Sequence, residues 1–369
     1  MLLFNTIMPK NLFFTFITIV TLLTTCNRSH FKSISLKVQD GYILNNMYGD
    51  TMVFTSPYKN KILFWNVHTN DTFSIKINLN FSIEDAFLNG SNFYVFDNRM
   101  FRDQNDYKIY KYNLITKSFI DTITISKVVD NGIEYVFDPV GSECPFYING
   151  ENIYFHVSPT ILFNKSEKGE MSYFKHLNTI LIKDSSKKIF ANYPFSYCKK
   201  YYNDFYPMYL TYSDTLICCF RANPVCYRFC NGIYIDSVST PSNHFQNFKS
   251  FSSNEWTTGK ITDSIIRKTE LINPMYYKLL HNTKTNYFYR IVYLSKTPEG
   301  KTVSTFNEKA WSLIKLDEKF NKISEKVFDQ NKLDPSRLYP FDKGLIIQIR
   351  ENKIYNKKIT YDFEYIGEE

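Results

Sequence analysis

The chain has 369 residues, with 44 Lys and Arg set against 36 Asp and Glu, for a formal charge of +8. The cations stand singly or in short pairs such as Lys199-Lys200 and Lys357-Lys358, so no stripe of the kind that tracks nucleic acid is present. Only 12 glycines argues against phosphate-cradling loops, and 18% aromatic residues favours pleated, half-buried sheet surfaces.

At the start, Lys10 precedes an uncharged apolar run from Leu12 to Thr24. The run falls short of the ~20 residues that span a bilayer and suits the core of a secretory signal. Initiation at Met8 gives a more compact leader than initiation at Met1. The ending Leu23-Thr24-Thr25-Cys26 resembles the lipobox of bacterial lipoproteins, with Thr25 bulkier than the usual small residue. The resemblance implies a diacylated Cys26 as the mature N-terminus, and two acyl chains hold a protein stably on a membrane. The predicted organisation is a signal peptide over 1–25, a lipid-anchored tether over 26–32 and one folded domain over 33–369. Asn27 to Lys32 carry no acidic cluster, which favours an outer-membrane anchor facing the periplasm over one at the cell surface.

After the tether, Ile34, Leu36 and Val38 alternate with Ser35 and Lys37 in the period of two of a half-buried strand. Strands are predicted at Thr51–Thr55, Lys61–Val67 and Thr72–Ile77, and the pattern returns at Asn92–Phe96, Tyr107–Leu114 and Phe119–Ile125. Trp65-Asn66-Val67-His68-Thr69 matches Tyr112-Asn113-Leu114-Ile115-Thr116, an aromatic-Asn-aliphatic-x-Thr turn repeated 47 residues later. A looser copy follows Leu313–Leu316 at Asp317. Strand, polar turn, strand units at this period are the mark of propeller blades, which stack to bury both faces. Further blades are predicted from Asn152, Thr215, Asn286 and Gly344, with inner strands at Met52, Phe93, Ile153, Leu216, Tyr287 and Leu345.

Asn231-Gly232 between Val225–Cys230 and Ile233–Val238 predicts a type I′ hairpin, whose two central residues need positive φ. Phe163–Ser172 and Pro241–Lys260 read as polar insertions, and no amphipathic helix of ten residues stands out. Tyr361, Phe363 and Tyr365 alternate near the C-terminus and leave the strand at 33–38 as their partner. The expected fold is therefore all-β: a six-bladed β-propeller of four-stranded antiparallel sheets, its ring closed by pairing of the N- and C-terminal strands. A seven-bladed ring or a pair of β-sandwiches remains compatible with the pattern.

The lipobox, the blade period and the aromatic-Asn-aliphatic turn together resemble the six-bladed, TolB-like β-propeller lipoproteins of Bacteroidota. The resemblance covers most of residues 31–369. It implies a fold and a compartment, and carries over no catalytic residue.

Nucleophile-elbow, P-loop, dinucleotide and His-Glu-x-x-His motifs are absent, as are Asp-rich calcium loops, so no cofactor is expected. Besides Cys26 the cysteines are Cys144, Cys198, Cys218, Cys219, Cys226 and Cys230, read as buried thiols or one disulfide in preference to a zinc site. Polar residues at strand ends that resemble the rim of a propeller channel are Asp97, Asn98, Arg221 and Arg350, with His156 in an apolar strand. Tyr201–Tyr212 is the densest aromatic segment and reads as packing between blades or as a ligand platform. The expected function is a membrane-tethered binding or scaffolding module for a protein, peptide or glycan, with no nucleic-acid partner. The alternative is a metal-assisted hydrolase, lactonase or lyase working at the channel.

Overall fold

The computed structural model describes residues 33–367 with interruptions, the longest at 78–85, 97–105, 138–146, 160–177, 192–199 and 296–302. Cys26, Asp97, Asn98, Cys144, Cys198 and the insertion at Phe163–Ser172 lie outside the described residues.

These residues form an all-β propeller of antiparallel sheets. Strand β1 (Ser33–Gln39) opens the described chain. The first sheet is the meander β2 (Ile43–Tyr48), β3 (Thr51–Ser56), β4 (Lys61–Asn66) and β5 (Thr72–Lys76). The second is β6 (Ala86–Asn89), β7 (Asn92–Phe96), β8 (Asp106–Asn113) and β9 (Ser118–Ser126). The third departs from four strands: β10 (Val128–Asp130), β11 (Ile133–Phe137), β13 (Asn152–Pro159), β14 (Asn178–Lys183) and β15 (Ser186–Phe190), with β12 (Tyr147–Asn149) also laid against β13. A two-stranded ladder joins β16 (Lys200–Tyr201) to β21 (Phe251–Ser252). The fourth sheet is β17 (Pro207–Tyr212), β18 (Thr215–Phe220), β19 (Val225–Cys230) and β20 (Ile233–Ser239). The fifth is β22 (Met275–Asn282), β23 (Tyr287–Tyr293), β24 (Trp311–Leu316) and β25 (Lys322–Phe328). The last runs β26 (Leu333–Phe341), β27 (Gly344–Ile349) and β29 (Lys358–Ile366), with β28 (Lys353–Tyr355) on β29 and β1 as its outer strand.

The pairing of β1 with β29 runs from Ser33 opposite Glu364 to Gln39 opposite Lys358. Ser35 donates to Asp362, and the Tyr361 hydroxyl donates to the Tyr42 carbonyl at 2.9 Å. Leu36 and Val38 are buried between this sheet and the first, together with Met52, Trp65, Phe341 and Phe363.

Each sheet offers apolar residues on both faces, because each face meets a neighbouring sheet. Phe64 of the first sheet packs on Phe93 of the second at 5.4 Å, and Phe93 stacks on Tyr112 at 4.9 Å. Ile109 and Ile125 of the second sheet pack with Phe155 and Val157 of the third. Phe190 meets Phe229 edge to face at 5.2 Å between third and fourth. Ile217 and Cys219 share a core with Phe288 and Ile314 between fourth and fifth. Trp311 and Ile291 share another with Leu338 and Ile347 between fifth and last. Burying a Phe-sized side chain contributes about 1.5–3 kcal/mol, so these interfaces carry the fold.

Turn chemistry follows the sequence. Asn66 Oδ1 accepts the backbone N–H groups of His68 and Thr69, and Asn113 Oδ1 those of Ile115 and Thr116, all within 3.0 Å. Asp317 does the same for Lys319 and Asn321. The repeated motif is thus an Asx turn, in which a short side chain satisfies the N–H groups that the hairpin leaves unpaired. Asn231 and Gly232 have φ of 49° and 70°, as the hairpin between β19 and β20 requires. At Gly344 a Cβ would run into the Ile366 carbonyl and the Tyr365 ring, so the close approach of β29 demands glycine there.

Two sequence expectations are corrected. The strands at Met52, Phe93, Ile153, Leu216, Tyr287 and Leu345 are the second strands of their sheets; the innermost are β2, β6, β12, β17, β22 and β26. Strand β12 lies beside β6 and β17, β22 beside β17 and β26, and β2 beside β26. The second strands, buried on both faces, give the strongest apolar signal, and this drew the assignment one strand outward.

A ten-residue helix, α1 (Asp263–Ile272), is also present, capped by Thr262 accepting from the Ile265 N–H. Its packed face is polar: Thr269 and Asn273 are buried, Asn273 bonds both N–H and C=O of Lys249, and Lys309 Nζ donates to the Glu270 and Asn273 carbonyls. Its apolar residues, Ile265, Ile266, Leu271 and Ile272, are few and none is fully buried. Among the described residues no helix is long and apolar enough to cross a membrane.

Candidate functional site

Strands β2, β6, β12, β17, β22 and β26 and the turns after them line a cavity with a wide mouth and a narrow throat. The mouth has a volume of ≈ 320 Å³ and takes residues from all the sheets except the β16–β21 ladder, among them Asp50, Asn89, Tyr147, Thr211, Lys284 and Asp342. Lys284 Nζ lies 3.5 Å from Asp50 and 3.8 Å from Asp342, tying the first, fifth and last sheets together at the rim. Asn282 forms an Asx turn with the N–H of Lys284 and donates across to the Asp342 and Gly344 carbonyls at 3.0 and 2.8 Å. Exposed ion pairs of this kind contribute little to stability; here they fix where the rim's charges stand.

The throat, ≈ 140 Å³, shares Asn46, Tyr147, Lys278 and Leu279 with the mouth and continues to Asn45, Tyr209, Arg221, Tyr277, Ser336 and Arg337. Its side chains owe their direction to irregularities in three inner strands. The register shifts between Leu44 and Asn46 in β2, between Tyr276 and Lys278 in β22, and between Asp334 and Leu338 in β26. Of the residues left over, Asn45, Tyr277, Ser336 and Arg337 line the throat and Pro335 does not. Extra residues of this kind turn a side chain that strict alternation would send elsewhere.

Electrostatically the throat is positive. Lys278 Nζ donates to the Leu338 carbonyl at 3.3 Å and sits 4.8 Å from the Tyr339 ring centre. Burial, reinforced by the Arg337 charge, pulls the Lys278 amine down to about 8, while Asp334 pulls it back up. Arg337 donates to the Leu44 and Asn45 carbonyls. The Arg221 guanidinium lies over the Tyr277 ring at 5.4 Å. Asp334 is already engaged, accepting the Ser336 N–H at 3.0 Å and the Ser336 hydroxyl at 2.6 Å.

Of the candidates read from the sequence, Arg221 reaches the throat. His156 is 4% exposed in β13, a second strand, and lines neither mouth nor throat. Arg350 follows β27 and donates to the Leu333 carbonyl at 2.8 Å, closing the hairpin end. In the aromatic segment, Tyr209 is buried and lines the throat, while Tyr212 packs edge-on against His281 and Phe288.

Sequence reading missed Lys278, Arg337 and the Asn45-Asn46 pair. The available signal was the polar interruption in the short strand preceding each apolar one.

The cysteines take another role. Cys218, Cys219, Cys226 and Cys230 are free thiols. The Cys219 thiol donates to Cys226 across the β18–β19 ladder at 3.0 Å, holding Cys226 below the ordinary thiol range, while burial pushes Cys219 up. Both belong to the core between the fourth and fifth sheets. Among the described residues no three His, Cys, Asp or Glu side chains gather as a metal site would require.

No protein-family profile matches the chain, and no curated protein matches it in sequence. Among solved structures, the fold resembles that of a DUF4221 family member from Bacteroides vulgatus, at 15% identity and a TM-score of 0.64, covering 95% of this chain and 99% of that one. A "putative exported protein" from Bacteroides fragilis matches more weakly, at 9% identity and a TM-score of 0.47 over 94% of each chain.

Proposed function

We propose that the chain is a binding module: a six-bladed propeller whose channel mouth receives a peptide, glycan or protein segment, held on the bacterial envelope by acylated Cys26. Residues 1–25 would be the cleaved leader, 26–32 the tether and 33–369 the ring, with β1 on β29 as its closure. The observation that carries the reading is the mouth itself, to which each of the six innermost strands or the turn after it contributes. A cavity built from turns on a rigid array can change its lining without disturbing the core. Its size suits a short segment or a few sugar units, and its mix of Asn, Tyr, Lys and Asp side chains suits polar recognition.

Screening the full chain against peptide and glycan arrays, followed by hydrogen exchange with the best ligand, tests this. Protection is expected at 46–50, 87–89, 147–148, 210–211, 278–284 and 340–342. Protection confined to the outer strands, or no ligand in either class, overturns the reading. A stoichiometric divalent ion with hydrolysis of the ligand would install the enzyme alternative in its place.

A further inference from the structure

The fourth sheet sets two cysteines face to face, away from the linings of the mouth and the throat. Cys219 of β18 stands directly opposite Cys226 of β19. Directly opposed residues of an antiparallel pair have Cα atoms about 4.5–5.5 Å apart, inside the ~4.4–6.8 Å that a disulfide spans. The two Sγ atoms are 3.0 Å apart, so a shift of about 1 Å brings them to the ~2.05 Å of a bond. The register gives the other described cysteines no such counterpart, since Cys218 faces Tyr227 and Cys230 faces Thr215. The bond from the Cys219 thiol lowers the Cys226 pKa against the burial that raises it, and the Arg290 charge and the Thr240 hydroxyl, 3.7 Å from the sulfur, act in the same direction. The thiolate so favoured is the form that attacks a disulfide.

We propose that Cys219 and Cys226 are an oxidative modification site, closed to a cross-strand disulfide by an external disulfide, of glutathione or of a thiol oxidoreductase, while the β18–β19 hairpin is still uncovered. The Cys226 thiolate attacks one sulfur of the external disulfide and expels the other as a thiolate, leaving a mixed disulfide on Cys226. Cys219 then gives up its proton and attacks the Cys226 sulfur, forming the protein S–S bond and expelling the second external sulfur. The protein pair loses two electrons and two protons, and the external disulfide gains both and leaves as two thiols. The timing follows from the packing. Cys219 and Cys226 are 0% and 1% exposed and share a core with Phe288 and Ile314 of the fifth sheet, so an oxidant of that size reaches them before β22–β25 dock or when those strands part. The hairpin itself needs only β18 and β19, adjacent in the chain, and local pairs form ahead of distant ones. After docking, the same cover shields the bond from reductants.

The test takes the full chain, unfolded and reduced, refolds it in a glutathione buffer rich in the oxidised form, quenches with N-ethylmaleimide and digests with trypsin without reduction. Cleavage after Arg221 and Arg228 puts Cys226 on a peptide separate from Cys218 and Cys219 and from Cys230. Mass spectrometry should find the Cys226 peptide joined to the Cys218-Cys219 peptide, two hydrogens lighter than the free thiols together, with fragment ions placing the bridge on Cys219. Cys218→Ser should keep the bridge and Cys219→Ser should lose it; the wild-type map decides the matter even where a variant fails to fold. Reduced protein that is already folded should form the bridge about tenfold or more slowly than the refolding chain, and dithiothreitol should open it about tenfold or more slowly in buffer than in denaturant, because access limits exchange. The proposal is overturned if both peptides carry N-ethylmaleimide after refolding, or if Cys226 is joined to any cysteine other than Cys219. Equal rates of oxidation for the folded and the refolding chain would overturn the timing.

Discussion

Two regions place charge inside the propeller, one within a packed interface and one at the wall of a cavity. Between the fourth and fifth sheets, Arg290 is 0% exposed, yet its guanidinium donates to the Pro224 and Asn223 carbonyls and the Thr240 hydroxyl and covers the Tyr276 ring at 3.8 Å. Nearby, Glu325 accepts from the Ser242 and Ser312 hydroxyls, the Asn243 N–H and Lys322 Nζ. There the charged groups are held within a packed interface. Along the throat, Lys278 and Arg337 also lean on backbone carbonyls, those of Leu338 and of Leu44 and Asn45, but they stand at the wall of a cavity. A charge inside an interface positions the elements around it; a charge at a cavity wall sets the polarity of that cavity.

The comparison can be broken at its closed side first. Arg290→Met should cost about 3 kcal/mol or more, since three acceptors lose a charged donor together, measured as a lower denaturant midpoint with an unchanged m-value. A near-neutral result would show that the interface does not depend on the Arg290 charge.

Glu325→Gln should cost about 1–3 kcal/mol at pH 7 and alter the acid limb of stability. Burial pushes the Glu325 carboxyl up, but the bonds from Lys322, Ser242, Asn243 and Ser312 outweigh it and hold the group below its ordinary value. A carboxylate depressed in the folded state contributes stability above its unfolded pKa of about 4.3 and loses that contribution as pH falls through the folded value. Denaturation curves from pH 6 to pH 3 should therefore slope less for the Gln variant than for the wild type. Parallel slopes would show that the network does not depend on the charge.

The smallest effect sets the scale for an ordinary polar contact. Asn66→Ala removes the acceptor for two backbone N–H groups in an exposed turn and should cost about 1 kcal/mol, visible as a modest drop in Tm. A larger loss would mean that the turn between β4 and β5 constrains the first sheet more than a solvated hairpin should.

The legible part of this molecule was the part governed by period and turn chemistry. Alternation marked Leu36 and Val38 as the inward face of a strand, and both are buried; the matched Asn66 and Asn113 declared their turns. Asn231-Gly232 declared a hairpin, and the C-terminal alternation at Tyr361–Tyr365 declared a partner for the strand at 33–38. The throat was hidden for a physical reason: each extra residue in β2, β22 and β26 breaks the period of two that makes a strand readable. Lys278 and Arg337 also come from different sheets, and nothing in one strand's pattern says which neighbour lies across the axis. Helix α1 stayed hidden because its buried position is Thr269 and its apolar residues stay partly exposed.

The outermost strand of the last sheet is made first and its partner last. Synthesis proceeds from the N-terminus, so Ser33–Gln39 must wait, with neither edge paired, until Lys358–Ile366 exists. Closing a loop of nearly the whole chain is slow relative to the local hairpins, and an open edge in the interval invites pairing with another copy. Assembly is thus gated by its final step, and a chain cut short before Lys358 would keep most of its hairpins while lacking the strand that joins its two ends.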